Sequence, residues 1–445
     1  MQHHGAIRVG TVALGLVAGA VAGAVFVWAL DTGSYNIWGA MVVIPIVVLV
    51  DLLVLSSVLK READPWVRRV IMAGFLAKLV GILARYFVTY VVYGGTSDAE
   101  RYNQYAAFKY LRWRAGDLDI SSIPLEGTQW MELTTTAVYT VIGPSPLAAF
   151  FVFGSAAFWG VYLCYRAFRT AFPGGDARRY ALLVFLLPSI LYWPSSIGKE
   201  SWLMLFVGVT SLGVARFFAG RTDAIPLLVA GAFGTAIVRP HIALMLFGAL
   251  TIAQLFRPSS GHATSILSKT AGFAVLALGA VLLASQSAAF LGIDDLSVGS
   301  ISDQLQERGE NATQGGSSFT ATPALSPLAW PVALVTVVFR PFPFEANNVQ
   351  LLVQSMEGLA LMVLFYRQRA QLRQLPSTLR RNPYLVFVVS YVLIFCWGFS
   401  SIGNFGILAR QRVLMLPLLV VLLALPRVHR DVPKVARRRF RVTAE

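Results

Sequence analysis

A set of polar side chains interrupts an otherwise apolar chain, and their types suit one kind of chemistry. Two carboxylates, Asp98 and Glu100, open the segment GGTSDAERYNQYAAFKYLRW directly after an apolar run. A carboxylate can take the proton of an attacking hydroxyl if it lies within hydrogen-bond reach. Cations follow from separated parts of the chain: Lys199 in SSIGKES, Arg239 in VRPH, Arg340 in FRPFPFEANN, and Arg410 and Arg412 in NFGILARQR. Glu200, His241, Glu345 and Asn404 accompany them. Guanidinium groups hold phosphate oxygens through paired hydrogen bonds. Cations that converge also stabilise charge developing on a departing phosphate. Together these residues would suit transfer from a phosphate carrier to a hydroxyl.

Each residue also has a plainer reading. Asp98 can cap a helix and Glu100 can face the helix dipole from the first turn. Lys199 and Glu200 end the stretch LLPSILYWPSSIGKE, and they can form an interfacial pair at a tight turn between two apolar runs. That stretch is not a phosphate-binding loop of the GxxxxGK[ST] kind, because Trp193 stands in place of the first glycine and Glu200 follows the lysine. A lone arginine at a span end can reach lipid phosphate. Lys78 and Arg85 lie inside an apolar run, spaced to share one helix face, and Asp51 is the expected ion-pair partner of one of them. Cys164 and Cys396 sit within apolar runs, so no disulfide is expected, and the histidines show no metal-ligand spacing. The sequence identifies no cofactor; a divalent metal would fit only if Asp98 and Glu100 both point inward.

The elements that must position these residues are membrane helices. The chain has 445 residues, 56% of them hydrophobic and 13% charged, with a mean hydropathy of +0.65. Such values exclude a soluble globular protein. The net charge of +15 does not point to nucleic acid, because most Arg and Lys fall in short loops and in the tail. Apolar runs at 9–30, 37–58, 69–93, 146–167, 180–194, 201–219, 225–238, 241–256, 268–290, 347–366, 384–400 and 410–425 predict the fold class. It is an all-α polytopic integral membrane protein of about 12 transmembrane or re-entrant helices. The first run reads as a retained helix, not a signal peptide.

Basic residues of alternate loops, from Lys60 and Arg61 to Arg380 and Arg381, would lie on one side with the tail, which places both termini in the cytoplasm. Asp98 and the cations then face the extracytoplasmic side. Residues 1–426 form a single transmembrane domain, with the outer loops 94–145 and 291–346 roofing the site, and 427–445 form a basic cytoplasmic tail. Within those loops, Ala99 to Trp113 has the spacing of an amphipathic interfacial helix, and WPVALVTVVF that of a re-entrant or surface-lying one. The break at Arg239-Pro240-His241 reads as two short helices meeting near the outer side.

The segments TSDAERYNQYA, LLPSILYWPSSIGKES, VRPH, FRPFPFEANN and NFGILARQRVLMLP, in this order, resemble features of bacterial envelope-polysaccharide membrane proteins. These are the oligosaccharide repeat-unit polymerases and the related glycosyltransferases of the GT-C architecture. The resemblance implies a lipid-linked sugar donor, a glycan or lipid-linked acceptor, an acidic base in the first large outer loop, and outer cations on the lipid phosphate. Asp98 matches the base position best and Glu100 second. In GT-C enzymes that loop usually follows the first span, whereas here it follows the third. The competing readings are a transporter or flippase of lipid-linked sugars or other anions, for which broken helices with charges also fit, and a non-catalytic scaffold for envelope assembly.

Overall fold

The computed structural model describes residues 19–20, 23–118, 120, 125–257 and 317–426 except 322, 325 and 327, together with part of 272–285. The expectations for 1–18, 258–271, 286–316 and 427–445 lie outside the described residues. Among those described, the chain is all-helical, apart from an isolated bridge between Ser318 and Asn404.

Five helices are long and apolar enough to cross a bilayer: α1 (Tyr35–Leu59), α2 (Pro65–Phe87, continued by a π turn over Val88–Val92), α5 (Pro146–Ala171), α8 (Lys199–Phe218) and α12 (Val349–Arg367). Between α2 and α5 lie α3 (Asp98–Arg114) and α4 (Gly127–Ile142). Between α5 and α8 lie α6 (Ala177–Leu186) and α7 (Pro188–Tyr192). Two shorter apolar helices follow α8, α9 (Ala224–Ala236) and α10 (Pro240–Leu255), and α11 (Trp330–Phe339) precedes α12. The chain closes with α13 (Pro383–Phe399), α14 (Phe405–Arg412) and α15 (Leu416–Leu419). Counting α14 with the bent segment Leu416–Leu423 as one broken span, at 60°, makes a sixth.

Helices α5 and α8 form the centre, and small residues let them touch. A Cβ on Gly160 would lie 2.2 Å from the Met204 carbonyl oxygen, and one on Gly208 would lie 2.1 Å from that of Gly160. In lipid, such close backbone approach supplies the dispersion contacts that hold helices together. Asp51 of α1 is buried against α5, accepting from Ser155 Oγ at 2.5 Å and Trp159 Nε1 at 2.9 Å.

The expected single span over 180–194 is instead two pieces. Pro188 has no N–H, so the chain turns at Leu187 and restarts as the short α7. Buried side chains satisfy the groups this break frees. Lys78 of α2 donates to the carbonyls of Ile190 at 3.3 Å and Pro194 at 2.7 Å. Glu357 of α12 accepts from the Ser189 amide at 2.7 Å. Lys78 is therefore not paired with Asp51, and neither is Arg85. Each buried charge finds hydrogen bonds nearer than the other charge, because a broken helix in a dry setting must have its backbone groups filled.

The two ends of the bundle differ. At one end, Glu62 takes Tyr165 Oη at 2.7 Å and Arg169 at 2.9 Å, Arg178 binds Asp64 at 2.6 Å, and the Asp176 amide bonds the Ala424 carbonyl at 2.9 Å. Burial pushes the Glu62 carboxyl up, but Tyr165 and Arg169 outweigh it and hold it below the ordinary glutamate range. The starts of α3, α4, α8, α10 and α14 meet at the other end through the contacts described next. Three expectations there change. Ser97, not Asp98, caps α3, accepting from the Glu100 amide at 3.4 Å. The outer loop 94–145 contains a second long helix, α4, which packs along α3. The last span, expected from residue 410, starts at Phe405 and breaks after Arg412.

Candidate functional site

Glu200 is the hub of a charge cluster built from separated helices. It sits in the first turn of α8, where the helix dipole favours a carboxylate, and it is buried. Arg239, at the break between α9 and α10, donates from Nη2 to Glu200 Oε1 at 3.0 Å and from Nη1 to Gln411. Arg410 of α14 places Nε 2.8 Å from the same oxygen, close enough for an ion pair though not aligned for a hydrogen bond. Its Nη2 donates to Asp98 Oδ2 at 2.6 Å. Lys199 donates to Thr128 Oγ1 of α4 at 2.9 Å and lies close enough to Asp98, Glu200, Arg239 and Arg410 to feel their charges. Three cations thus meet two carboxylates, with one positive charge in excess.

Local sequence explains each placement. Gly127 opens α4 with its amide on the Ile237 carbonyl at 2.7 Å, which draws α4 against the α9–α10 break. Asn404 caps α14 through the Ile407 amide at 3.1 Å and takes Ser317 Oγ at 3.0 Å. Trp202 of α8 donates to the Gly234 carbonyl of α9 at 2.7 Å. Tyr102 of α3 is buried beside the cluster. Burial raises its phenol above the ordinary range, and Asp98 and Glu200 add to that rise.

A cavity of about 390 Å³ opens at this cluster. Asp98, Glu200, Asn404 and Arg410 stand on its wall, with Arg85, Thr89 and Tyr93 from α2 and the stretch after it, and Trp193, Ser196 and Gly198 from the segment between α7 and α8. Asp98 is half exposed, whereas Glu200 has 4% of its side chain exposed. The cavity thus has an accessible carboxylate at its rim and a neutralised one at its base.

The other candidate residues are placed differently. Glu100 turns along α3, accepting from Asn103 and Gln104 at 3.0 Å each, and does not share the cavity wall with Asp98. The two carboxylates therefore form no shared acidic pair. His241 sits with its ring 6.2 Å from that of Phe399. Arg340 is bound by Glu345 through Nε, at 3.0 and 3.1 Å, and through Nη2, while its guanidinium lies 4.2 Å from the Phe319 ring centroid. Burial would raise the Glu345 carboxyl; Arg340 and the Phe342 amide outweigh that and hold it low. Arg412 is buried and donates to the carbonyls of Val338 at 2.9 Å and Arg340 at 2.7 Å. Arg340, Glu345 and Arg412 thus fasten the chain around α11 and α14 and stand off the cavity wall.

Sequence reasoning assigned no site role to Arg85, Thr128, Tyr102 or Gln411. For Arg85 a signal was present: Gly74, Lys78, Gly81 and Arg85 share one face of α2. Two glycines among two cations mark a face where backbones come close. Comparison with known protein families, with curated proteins and with solved structures finds no match.

Proposed function

We propose that this protein is a membrane glycosyltransferase that takes a sugar from polyprenyl phosphate or diphosphate in cell-envelope polysaccharide or glycan assembly. The observation that supports it is the meeting of Asp98, Lys199, Glu200, Arg239 and Arg410, from four separated helices or breaks, beside one cavity on whose wall Asp98, Glu200 and Arg410 stand. Ionisable groups are costly in a membrane protein and cluster where they act. In this reading the acceptor hydroxyl attacks the anomeric carbon and its proton passes to Asp98. The bond from that carbon to the phosphate oxygen breaks, and the phosphate leaves on its lipid. Asp98 Oδ1 has no protein partner among the described residues, so it is the oxygen placed to accept that proton, while Oδ2 stays on Arg410.

The topology belongs to the same proposal. About 12 transmembrane or re-entrant helices, with both termini cytoplasmic by the charge rule, put the cavity on the extracytoplasmic side, roofed by α3. A transporter of lipid-linked sugars or other anions is the second reading, and the broken helices α6–α7 and α9–α10 favour it. Lys78 and Glu357 fill the first break with the protein's own groups, which weighs towards the enzyme.

The test uses the full chain in proteoliposomes with a labelled polyprenyl-diphosphate sugar and a glycan acceptor. Asp98→Asn is expected to abolish product while donor binding persists. Product at the wild-type rate in that variant would remove Asp98 as the base. Movement of donor across the bilayer without product from the wild type would put the transporter in its place.

A further inference from the structure

We propose that Arg85 receives the anionic group of the ligand, a phosphate or diphosphate, in the cavity. The inference rests on reading the cavity as a substrate site and names the residue that reads the charge. Its position follows from packing. A Cβ on Gly81 would lie 2.4 Å from the Leu191 carbonyl oxygen, so α2 lies directly on α7. Lys78 is tied to the Ile190 and Pro194 carbonyls on that face. Arg85, two turns further on the same face, projects past the end of α7 onto the cavity wall.

The guanidinium is held but not neutralised. Its carbon lies 5.1 Å from the Tyr192 ring centroid and 4.9 Å from that of Trp193. Nη1 donates to the Tyr192 hydroxyl at 3.2 Å, whereas Nε is buried with no hydrogen-bond partner. No carboxylate pairs with Arg85 among the described residues. Of the arginines expected to hold phosphate, Arg412 is buried on the Val338 and Arg340 carbonyls and stands off the cavity wall, and the others are paired: Arg239 with Glu200, Arg410 with Glu200 and Asp98, Arg340 with Glu345. An incoming anion would have to displace a carboxylate from each of those, but nothing from Arg85. Aromatic faces fix the fork and exclude water around it, which strengthens its pull on a phosphate oxygen. Thr89 and Ser97, whose hydroxyls are neutral groups able to donate, stand on the same wall.

The experiment measures binding to the full-length protein in neutral-lipid nanodiscs, with inorganic pyrophosphate and farnesyl diphosphate as probes. Arg85→Ala is expected to weaken binding by about 10- to 100-fold, as loss of a charged hydrogen-bonded contact does. Arg85→Lys, which keeps the charge without the fork, recovers part of it. Arg112→Ala, an exposed cation of α3, changes neither probe. If Arg85→Ala melts out, Arg85→Gln decides by the same criterion. Equal losses for both probes support a site for free phosphate; a larger loss for farnesyl diphosphate supports a lipid headgroup. Binding within twofold of wild type in the variant, or no binding of either probe to the wild type, overturns the inference. The readout is independent of catalysis. Lost probe binding without any sugar transfer by the wild type leaves Arg85 standing and removes the glycosyltransferase. Asp98-dependent transfer with unchanged probe binding in Arg85→Ala removes only the role of Arg85.

Discussion

Replacing Glu200 by Gln keeps the shape of the hub and removes its charge. Glu200 has 4% of its side chain exposed and Arg239 11%, so this pair is not weakened by solvent as a surface pair is. Breaking a buried pair by removing one partner costs about 3–5 kcal/mol, because the other charge stays behind uncompensated. Two guanidiniums share the Glu200 Oε1 oxygen, yet Arg410 keeps Asp98 and Arg239 keeps Gln411. The lower end, about 3 kcal/mol, is therefore expected. Reversible denaturation of the purified protein gives the cost. A double-mutant cycle with Arg239→Met then isolates the pair. Glu200→Gln and Arg239→Met should each destabilise, and the double variant should lose less than their sum, since the second change removes the stranded charge. A cost for Glu200→Gln below about 0.5 kcal/mol, the range of surface pairs, would refute the reasoning. So would strict additivity.

Two further outcomes follow from the same structure. Lys78→Met should destabilise by about 2–3 kcal/mol, because the buried carbonyls of Ile190 and Pro194 lose their donor; an unchanged melting temperature would show that the break in α7 needs no filling. Glu345, held low by Arg340, contributes its full share of stability above the ordinary glutamate range and loses it as pH falls through its lowered value. Protection of residues 340–348 against hydrogen exchange, taken relative to the intrinsic rate at each pH, should therefore hold at neutral pH and fall only in acid, and Glu345→Gln should flatten that dependence.

Much of the helix order was legible. The runs at 37–58, 69–93, 146–167, 201–219 and 347–366 correspond to α1, α2, α5, α8 and α12, because length and hydropathy alone decide whether a segment can cross lipid. The amphipathic spacing of Ala99 to Trp113 corresponds to α3 in the same way. The segment MELTTTAVYTV lies within the outer loop 94–145, and its Glu132 and β-branched residues hide the helical signal, yet α4 forms there by packing along α3. Proline marked the break at Pro240, whereas the break at Pro188 falls inside the run 180–194 that reads as one span.

What residue order determined by itself was composition, span position and the places where backbone bonding must fail. Tertiary structure alone decided the partner of every buried charge. Asp51 went to Ser155 and Trp159, Lys78 to two carbonyls, and Glu200 to both Arg239 and Arg410. The reason is that a charge in a low-dielectric interior must be met within hydrogen-bond distance. Which group stands at that distance depends on how far apart in sequence the packed helices lie, and no local pattern carries that information.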